Sequence, residues 1–395
     1  TMSKKRFQTL IQAIRFDKKS TRPARSTKDN LAPIRDVFEA FVKKCQDTYN
    51  LGALTTLDEM LEAFRGKCRF RQYIANKPAK YGIKIYALVD ARTFFTNNLE
   101  IYPGKQPPGE FDLGNDVVSV VKRMIKPIDN SGRNVTMDNY FMDIPLANDL
   151  YANHRLTVVG TVRKNKRQLP LELTTNLRER PVKSTIFAFS KSPNNCMLAS
   201  YIAKRNKNVL VGSTMHKQGV IDEESGDNLK PELITFYNLT KGGVDVVDRM
   251  KTEYCVSRIS NRWPFTVFCS LLNIGAINSQ IILKSNTNIL MSRRKYLTEL
   301  ARALAIPHIT RRSSLTNLSI SLRQKIKSIV GTPATPAPPP EDGQKTRCVY
   351  CPIRKNRYTQ ARCSGCNHAV CKEHISSTVL TCFQCAAAEN PQDAE

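Results

Sequence analysis

Residues 80–90, KYGIKIYALVD, decide the fold. Apolar residues at positions 83, 85, 87 and 89 alternate with positions 84, 86 and 88, a period of two that predicts a β-strand. Residues 93–102, TFFTNNLEIY, predict a second strand after a short connection, so the pair should form a hairpin. Asp90 ends the first strand. A buried carboxylate is costly unless it is hydrogen-bonded, paired or bound to a cation, so Asp90 is interpreted either as a turn cap or as a catalytic acid.

The composition indicates a folded protein with a polyanionic partner. The chain has 395 residues, 41% of them hydrophobic, which is enough for two or three domains with a sizeable core. Its 61 Lys+Arg against 34 Asp+Glu give a net charge of +27. Nucleic acid is the first candidate partner and an anionic membrane surface the second. The charged N-terminus lacks the apolar segment of a secretory signal.

One uncharged run, residues 263–283, resembles a membrane span in composition. It contains Pro264, Asn273, Asn278 and Gln280, which are costly in hydrocarbon. A helix buried in the protein core is therefore predicted, with no membrane partner.

The spacing of apolar residues predicts a mixed α/β protein. Helices are predicted near the N-terminus and over residues 34–50, 57–64, 116–125, 144–153, 240–256, 261–284 and 291–306. Strands are predicted over 134–138 and 156–163, and shorter ones over 184–190, 197–201 and 208–213, within a β-rich insertion at 170–232. The Pro-rich residues 331–343 predict a semi-rigid linker.

Acidic residues end two of the predicted strands. Asp90 and Asp138 occupy strand ends, and Asp245 and Asp248 lie one turn apart on a predicted helix. Neighbouring strand ends and a helix across them would bring three carboxylates together, and Mg²⁺ is the hard, oxygen-preferring ion that resolves their repulsion. A pair of such ions can activate a nucleophile and stabilise a leaving oxygen. Each acid also has an alternative role as a turn or cap residue.

The C-terminal segment has the spacing of zinc ligands. Four pairs, each with two intervening residues, supply eight ligands: Cys348, Cys351, Cys363, Cys366, Cys371, His374, Cys382 and Cys385. Eight ligands suffice for two structural, tetrahedral Zn²⁺ sites, and an interleaved arrangement (first pair with third, second with fourth) is predicted, with His368 as a spare ligand. This use of cysteine is typical of the cytosol or nucleus.

Two basic segments are interpreted either as solvated faces or as contacts to DNA phosphates. The first follows the strand at 156–163 and the second alternates with small or apolar residues. The first segment comprises Arg163, Lys164, Lys166 and Arg167. The second comprises Arg65, Lys67, Arg69 and Arg71.

Several segments together resemble the piggyBac family of DNA transposases. They are NKPAKYGIKIYALVD (76–90), RNVTMDNYF (133–141), LTVVGTVRKNKRQLP (156–170), ITFYNLTKGGVDVVDRM (234–250), NRWPFTVF (261–268) and the cysteine-rich C-terminus. The resemblance covers nearly the whole chain in the family's order. By this resemblance, the chain begins inside the family's first DNA-binding domain, so an N-terminally truncated protein is expected.

The resemblance implies an RNase H-like catalytic core with a three-Asp site at Asp90, Asp138 and Asp245, supported by Asp248. It implies two Mg²⁺ or Mn²⁺ ions, cleavage at transposon ends, insertion at TTAA, a homodimer on DNA and a nuclear location. The expected domains are 1–80 and 255–330 (helical, DNA-binding and dimerisation), 81–169 (core), 170–232 (insertion), 233–254 (core helix with the third Asp), 331–345 (linker) and 346–388 (zinc, binding transposon-end DNA).

Two other functions stay open from the sequence. The first is a domesticated or decayed copy that binds DNA without catalysis. The second, weaker one is a zinc module that reads a protein segment such as a histone tail.

Overall fold

A computed structural model describes residues 1–75, 77–175, 177–191, 195–315, 318–331, 344–376 and 382. The chain divides into two compact units, Ala13–Leu290 and Thr1–Gln12 with Met291–Glu395. The predicted linker falls almost entirely outside the described residues, and so does Cys385.

The described helices are α1 (Lys4–Ala13), α2 (Arg22–Ser26), α3 (Arg35–Thr48), α4 (Val117–Ile125), α5 (Ile144–His154), α6 (Glu232–Thr240), α7 (Gly243–Glu253), α8 (Trp263–Thr287), α9 (Arg293–Ser313) and α10 (Ile320–Val330). The described strands are β1 (Leu54–Ala63), β2 (Gln72–Tyr73), β3 (Tyr81–Asp90), β4 (Thr96–Ile101), β5 (Asn134–Met137), β6 (Thr157–Thr161), β7 (Thr185–Phe189), β8 (Met197–Lys204), β9 (Lys207–Ser213), β10 (Thr346–Arg347) and β11 (Tyr358–Thr359).

Strands β1 to β9 build one mixed sheet in the first unit, in the order β2-β3-β1-β5-β6-β9-β8-β7, with β4 also paired to β3. The predicted hairpin is confirmed, since β3 and β4 pair antiparallel. Strand β1 is central: it runs antiparallel to β3 and parallel to β5. Strand β6 is parallel to β5, so β1, β5 and β6 have their carboxyl ends at the same edge.

The two faces of the sheet are covered by different helices. On one face, Leu57, Tyr86 and Met137 pack in a cluster that contains residues of α4 and α5. On the other face, Met60 and Ala87 pack in a cluster with residues of α7 and α8. Because side chains alternate along a strand, the register assigns every residue of β1, β3 and β5 to one of these faces.

Helix α8 is, among the described helices, the one long and apolar enough to cross a membrane by length and composition. Its Val267, Leu271 and Ile274 are buried in the cluster on the α7 face. Its Asn278 accepts from the Thr96 amide at 2.9 Å and donates to the Thr96 carbonyl at 2.8 Å. These contacts to β4 satisfy a polar side chain that would be costly in lipid, as the sequence argument for a core helix requires.

The prediction of a helix over residues 57–64 is wrong, because residues 57–63 belong to β1. Leu57, Met60, Leu61 and Phe64 have helical spacing, and all four are buried. A strand between two others buries residues on both faces, so its apolar positions do not alternate. Pairing with β3 and β5 overrides a local preference for helix.

The strands predicted in the β-rich insertion are confirmed as β7, β8 and β9. They extend the main sheet, since β9 pairs antiparallel with β6 through Val159 and Ser213. The finer domain boundaries remain predictions.

In the second unit, the predicted helices near the N-terminus and over 291–306 are observed as α1 and α9. Helix α10 was not predicted; it packs against α9, and Tyr296 and Ile326 are buried. The short strands β10 and β11 pair antiparallel in the cysteine-rich segment.

Candidate functional site

Two acidic residues lie side by side on neighbouring strands, Asp58 in the middle of β1 and Asp138 directly after the carboxyl end of β5. Leu57 pairs with Met137 in the parallel register, and Asp58 and Asp138 each come one residue later. Adjacent strands are separated by about 5 Å, which brings the two carboxylates close together. Because Leu57 and Met137 face the α4–α5 side, Asp58 and Asp138 face the α7 side. Both are partly exposed.

Buried threonines anchor Thr240, the last residue of α6, to β1 and β5, three residues before α7 begins. Thr56 donates a hydrogen bond to the Thr240 carbonyl at 2.6 Å, and Thr136 donates to the Thr240 hydroxyl at 2.8 Å. A Cβ on Gly243 would lie 2.5 Å from the Thr56 hydroxyl oxygen, so this close approach requires glycine. These contacts fix the start of α7 beside Thr56 of β1 and Thr136 of β5, with Asp245 in its first turn.

A lysine lies among these carboxylates. The Lys77 ammonium donates to the Glu59 carbonyl at 2.9 Å and to Asp245 Oδ1 at 3.4 Å. Its side chain is 17% exposed, against 67% for Asp245. Burial opposes the charged form, but the neighbouring carboxylates, Asp58 and Asp245 foremost, raise the pKa of Lys77 above its ordinary value.

Asp58 is surrounded by more negative charge than Lys77 offsets. Burial, followed by the Glu59 and Asp138 carboxylates, raises the pKa of Asp58 to about 8 against the opposing charge of Lys77. The Tyr237 hydroxyl responds to the same charges: burial, then Asp138, Asp58 and Asp245, raise its pKa. A group of carboxylate oxygens with excess negative charge suits a hard divalent cation.

Asp90 does not join this group. It pairs with Thr55, three residues before Asp58 along β1, which corresponds to about 10 Å and to the opposite face of the sheet. Its carboxylate accepts from the backbone amides of Gly52 at 2.7 Å, Arg92 at 2.9 Å and Thr93 at 2.8 Å. These contacts are those of a turn cap, the alternative that the sequence left open. The expectation that Asp90 lies with Asp138 and Asp245 is therefore corrected, and Asp58 stands in its place.

Asp248 has a different environment from Asp245. Its Oδ1 lies 3.2 Å from the ammonium of Lys251, which is buried and also paired with Glu62 of β1. Ser270 donates to the same Glu62 at 2.7 Å. This network ties α7 and α8 to β1. Asp248 and Lys77 line an adjoining groove of about 670 Å³.

The first predicted basic segment follows β6, at the same sheet edge as Asp138. Arg163 donates to the Asn139 side chain at 3.3 Å, next to Asp138. Lys166 is ion-paired with Asp143 at 2.5 Å. Arg163, Lys164 and Arg167 are exposed.

The second basic segment surrounds a concavity of about 680 Å³. Its lining includes four cationic side chains and Asn261. The cations are Arg65, Lys67, Arg69 and Arg71.

The first predicted zinc site is assembled from the first and third ligand pairs: Cys348, Cys351, Cys371 and His374. Their ligand atoms lie within 4.8 Å of one another. The Cys351–Cys371 sulfurs are 3.6 Å apart, and the Cys371 sulfur is 3.2 Å from His374 Nδ1. A tetrahedral zinc with bonds of about 2.3 Å separates its sulfur ligands by about 3.8 Å, so this group fits the ion.

The second site brings together Cys363, Cys366 and Cys382, also within 4.8 Å. The Cys366 and Cys382 sulfurs are 3.7 Å apart. The predicted fourth ligand, Cys385, lies outside the described residues. The described ligands follow the interleaved arrangement, and His368 belongs to neither group.

Known proteins resemble this chain in sequence and in fold. A family model described as Transposase IS4 matches residues 1–280. The human "PiggyBac transposable element-derived protein 3" is 22% identical over 279 residues, which cover 66% of this chain and 45% of that protein. The human "Chimeric ERCC6-PGBD3 protein" is 22% identical over the same length, covering 25% of that protein. The chain thus spans less than half the length of these two relatives.

A solved structure is similar over 97% of this chain and 80% of the other chain, with 36% identity and a TM-score of 0.81. It is a piggyBac transposase synaptic complex with hairpin DNA, determined by cryo-EM. The family model, the relatives and this structure agree with the resemblance found in the sequence: the chain belongs to the piggyBac-type transposases of the Transposase IS4 family.

Proposed function

We propose that this protein is a DNA transposase that cleaves transposon ends and transfers the strands in a metal-dependent reaction. The observation that carries the proposal is the convergence of Asp58, Asp138 and Asp245, from β1, β5 and α7: Asp58 neighbours Asp138, and Lys77 contacts Asp245 and interacts with the charge of Asp58. Family membership and the 36% identity to a transposase determined with hairpin DNA support it.

Asp58 and Asp138 are the proposed principal metal ligands, Asp245 completes the set, and Asp248 supports it from the adjoining groove. The oxygen donors and the raised pKa of Asp58 fit Mg²⁺ or Mn²⁺. Two such ions, when bound, would activate the attacking water or 3′-hydroxyl and stabilise the leaving oxygen. The protein's own contribution is to fix the carboxylates on two paired strands and on α7, whose preceding residue Thr240 is bonded to Thr56 and Thr136.

The core is proposed to be RNase H-like. Its strands β4, β3 and β1 form an antiparallel meander, and β5 and β6 follow in parallel to β1. Superposition of an experimental structure on an RNase H would test this, since a different strand order or direction would reject it.

DNA is the proposed partner, at transposon ends and at TTAA targets, with the protein acting as a homodimer in the nucleus. Of the first basic segment, Arg163, Lys164 and Arg167 are exposed beside the acid site, whereas Lys166 already has a carboxylate partner. We assign the exposed members to phosphate contacts. Exclusion of the tagged full chain from nuclei would refute the proposed location. A monomeric complex on end DNA would refute the proposed homodimer.

Loss of both Arg163 and Arg167 to alanine should weaken binding to any duplex and reduce the slope of log K against log salt by about 2, since each phosphate contact contributes about 0.9. Fluorescence anisotropy at several salt concentrations measures this. The matched control, Lys204→Ala with Lys207→Ala at the β8–β9 turn, removes equal charge away from the site. An equal change of slope in both variants would show a general charge effect only.

The function itself is tested on DNA that carries the ends of the cognate element. The full chain with Mg²⁺ should nick these ends, form hairpins and join them to TTAA-containing DNA, and Asp138→Ala should abolish all three products. Cleavage by Asp138→Ala at the parent rate would refute the site. Salt-sensitive DNA binding with no product under Mg²⁺ or Mn²⁺ would favour the alternative of a DNA-binding protein without catalysis. The human relative, described as element-derived, is a reason to test this alternative.

A further inference from the structure

The acid site contains its own cation. Lys77 lies on the loop between β2 and β3, where Ile74 N donates to the Lys80 carbonyl at 2.8 Å and Lys80 N donates to the Lys77 carbonyl at 3.0 Å. These bonds hold the base of the side chain while its ammonium contacts Glu59 O at 2.9 Å and Asp245 Oδ1 at 3.4 Å. Lys77 therefore reaches the carboxylates from a loop that carries none of Asp58, Asp138 and Asp245.

The Lys77 ammonium lies beside an Asp245 oxygen that a divalent ion at this site would use. A metal ligand must present its carboxylate oxygen to the ion, and Asp245 presents Oδ1 to the ammonium. Asp245 is largely exposed, so an ion can reach it from solvent. A lysine ammonium is a compact charge on a flexible stem, which allows it to leave without movement of the backbone.

We propose that Lys77 is a built-in counter-ion of the acid site that competes with divalent metal for Asp245 and is displaced when the metal binds. The inference rests on the proposed function, since it requires metal at Asp58, Asp138 and Asp245. Before metal arrives, Lys77 lowers the repulsion among these carboxylates and so helps α7 to stay packed on β1. Afterwards, the same positive charge weakens metal binding, because like charges repel at short range.

Titration of Mn²⁺ into the zinc-loaded full chain without DNA, followed by the EPR signal of free Mn²⁺, tests the competition. Lys77→Met should bind Mn²⁺ at least tenfold more tightly than the parent, whereas Lys77→Arg should stay within about threefold of it. Lys80→Met is the matched control, because it removes the same charge from an exposed position of the same loop. Its affinity should not change.

Equal affinity in the parent and Lys77→Met would overturn the inference, as would an equal gain in Lys80→Met. The Asp138→Asn variant tests the proposed metal site separately from the role of Lys77. It should abolish tight Mn²⁺ binding; if tight binding persists, the ion binds elsewhere and the proposed function fails. Circular dichroism shows whether each variant is folded.

A second measurement needs no variant. Brief acetylation of the parent chain, with each lysine quantified by mass spectrometry, should modify Lys77 at least threefold more in saturating Mg²⁺ than without it, because displacement exposes its amine. Lys80 should react equally in both conditions. An equal extent of Lys77 acetylation with and without Mg²⁺ would overturn the inference. This outcome can be read even if the Lys77→Met variant does not fold.

Discussion

Asp58→Asn is expected to reduce the rate of Mg²⁺-dependent end cleavage by about 10³-fold or more, while DNA binding persists. A carboxylate that holds a catalytic metal supplies several kcal/mol of transition-state stabilisation, and each 1.36 kcal/mol is tenfold in rate. Asparagine keeps the size of the side chain but removes the charge. Single-turnover cleavage with saturating protein separates this loss from any change in affinity.

Asp90→Asn is the matched control, since Asp90 also occupies a strand in the centre of the sheet. Asparagine retains one acceptor oxygen but loses part of the cap formed with the Gly52, Arg92 and Thr93 amides. The expected result is a loss of about 1–3 kcal/mol of unfolding free energy with a cleavage rate close to that of the parent. The opposite pattern, an inactive Asp90→Asn beside an active Asp58→Asn, would restore Asp90 to the site.

Removal of zinc is expected to unfold the C-terminal module. Beside its ligands, the module buries few apolar side chains in the described structure: Val370 and Ala369, with Tyr350 and Ile375 partly buried. Such a small core cannot offset the entropy of folding, whereas a structural zinc contributes about 10–16 kcal/mol in small zinc domains. Native mass spectrometry should find two zinc ions per chain, and a chelator should make the module sensitive to protease.

Cys371→Ser should reduce the count to one ion, because it removes a ligand of the first group alone. Cys68→Ser, at a half-buried thiol in the other compact unit, should retain both ions. A module that stays folded and protease-resistant after complete chelation would contradict a structural role for zinc.

Much of the core could be predicted from local pattern. The β3–β4 hairpin, α4 and the strands β7 to β9 were recognisable because the local residue pattern of each favours one type of element. The zinc ligands were recognisable because their spacing is set by the coordination geometry of one ion. These signals do not depend on distant parts of the chain.

Asp58 could not be found in this way. The helical spacing from Leu57 to Phe64 concealed a strand whose paired residues in β3 and β5 lie 19 to 80 residues further along the chain. The face of β3 was equally hidden: Asp90 alternates with Val89, and no local property shows which of them faces α7. One signal was available, since Asp58 and Asp138 each follow a Thr-aliphatic pair, TLD and TMD.

An experimental structure of the full chain soaked in Mn²⁺, with anomalous scattering recorded, locates the metal without any assay of activity. Peaks within about 2.5 Å of the Asp58 and Asp138 carboxylates are expected, with Lys77 withdrawn from Asp245. A peak at Asp90, or an acid cluster without bound ion at saturating Mn²⁺, would contradict the assignment of Asp58, Asp138 and Asp245 as the metal site.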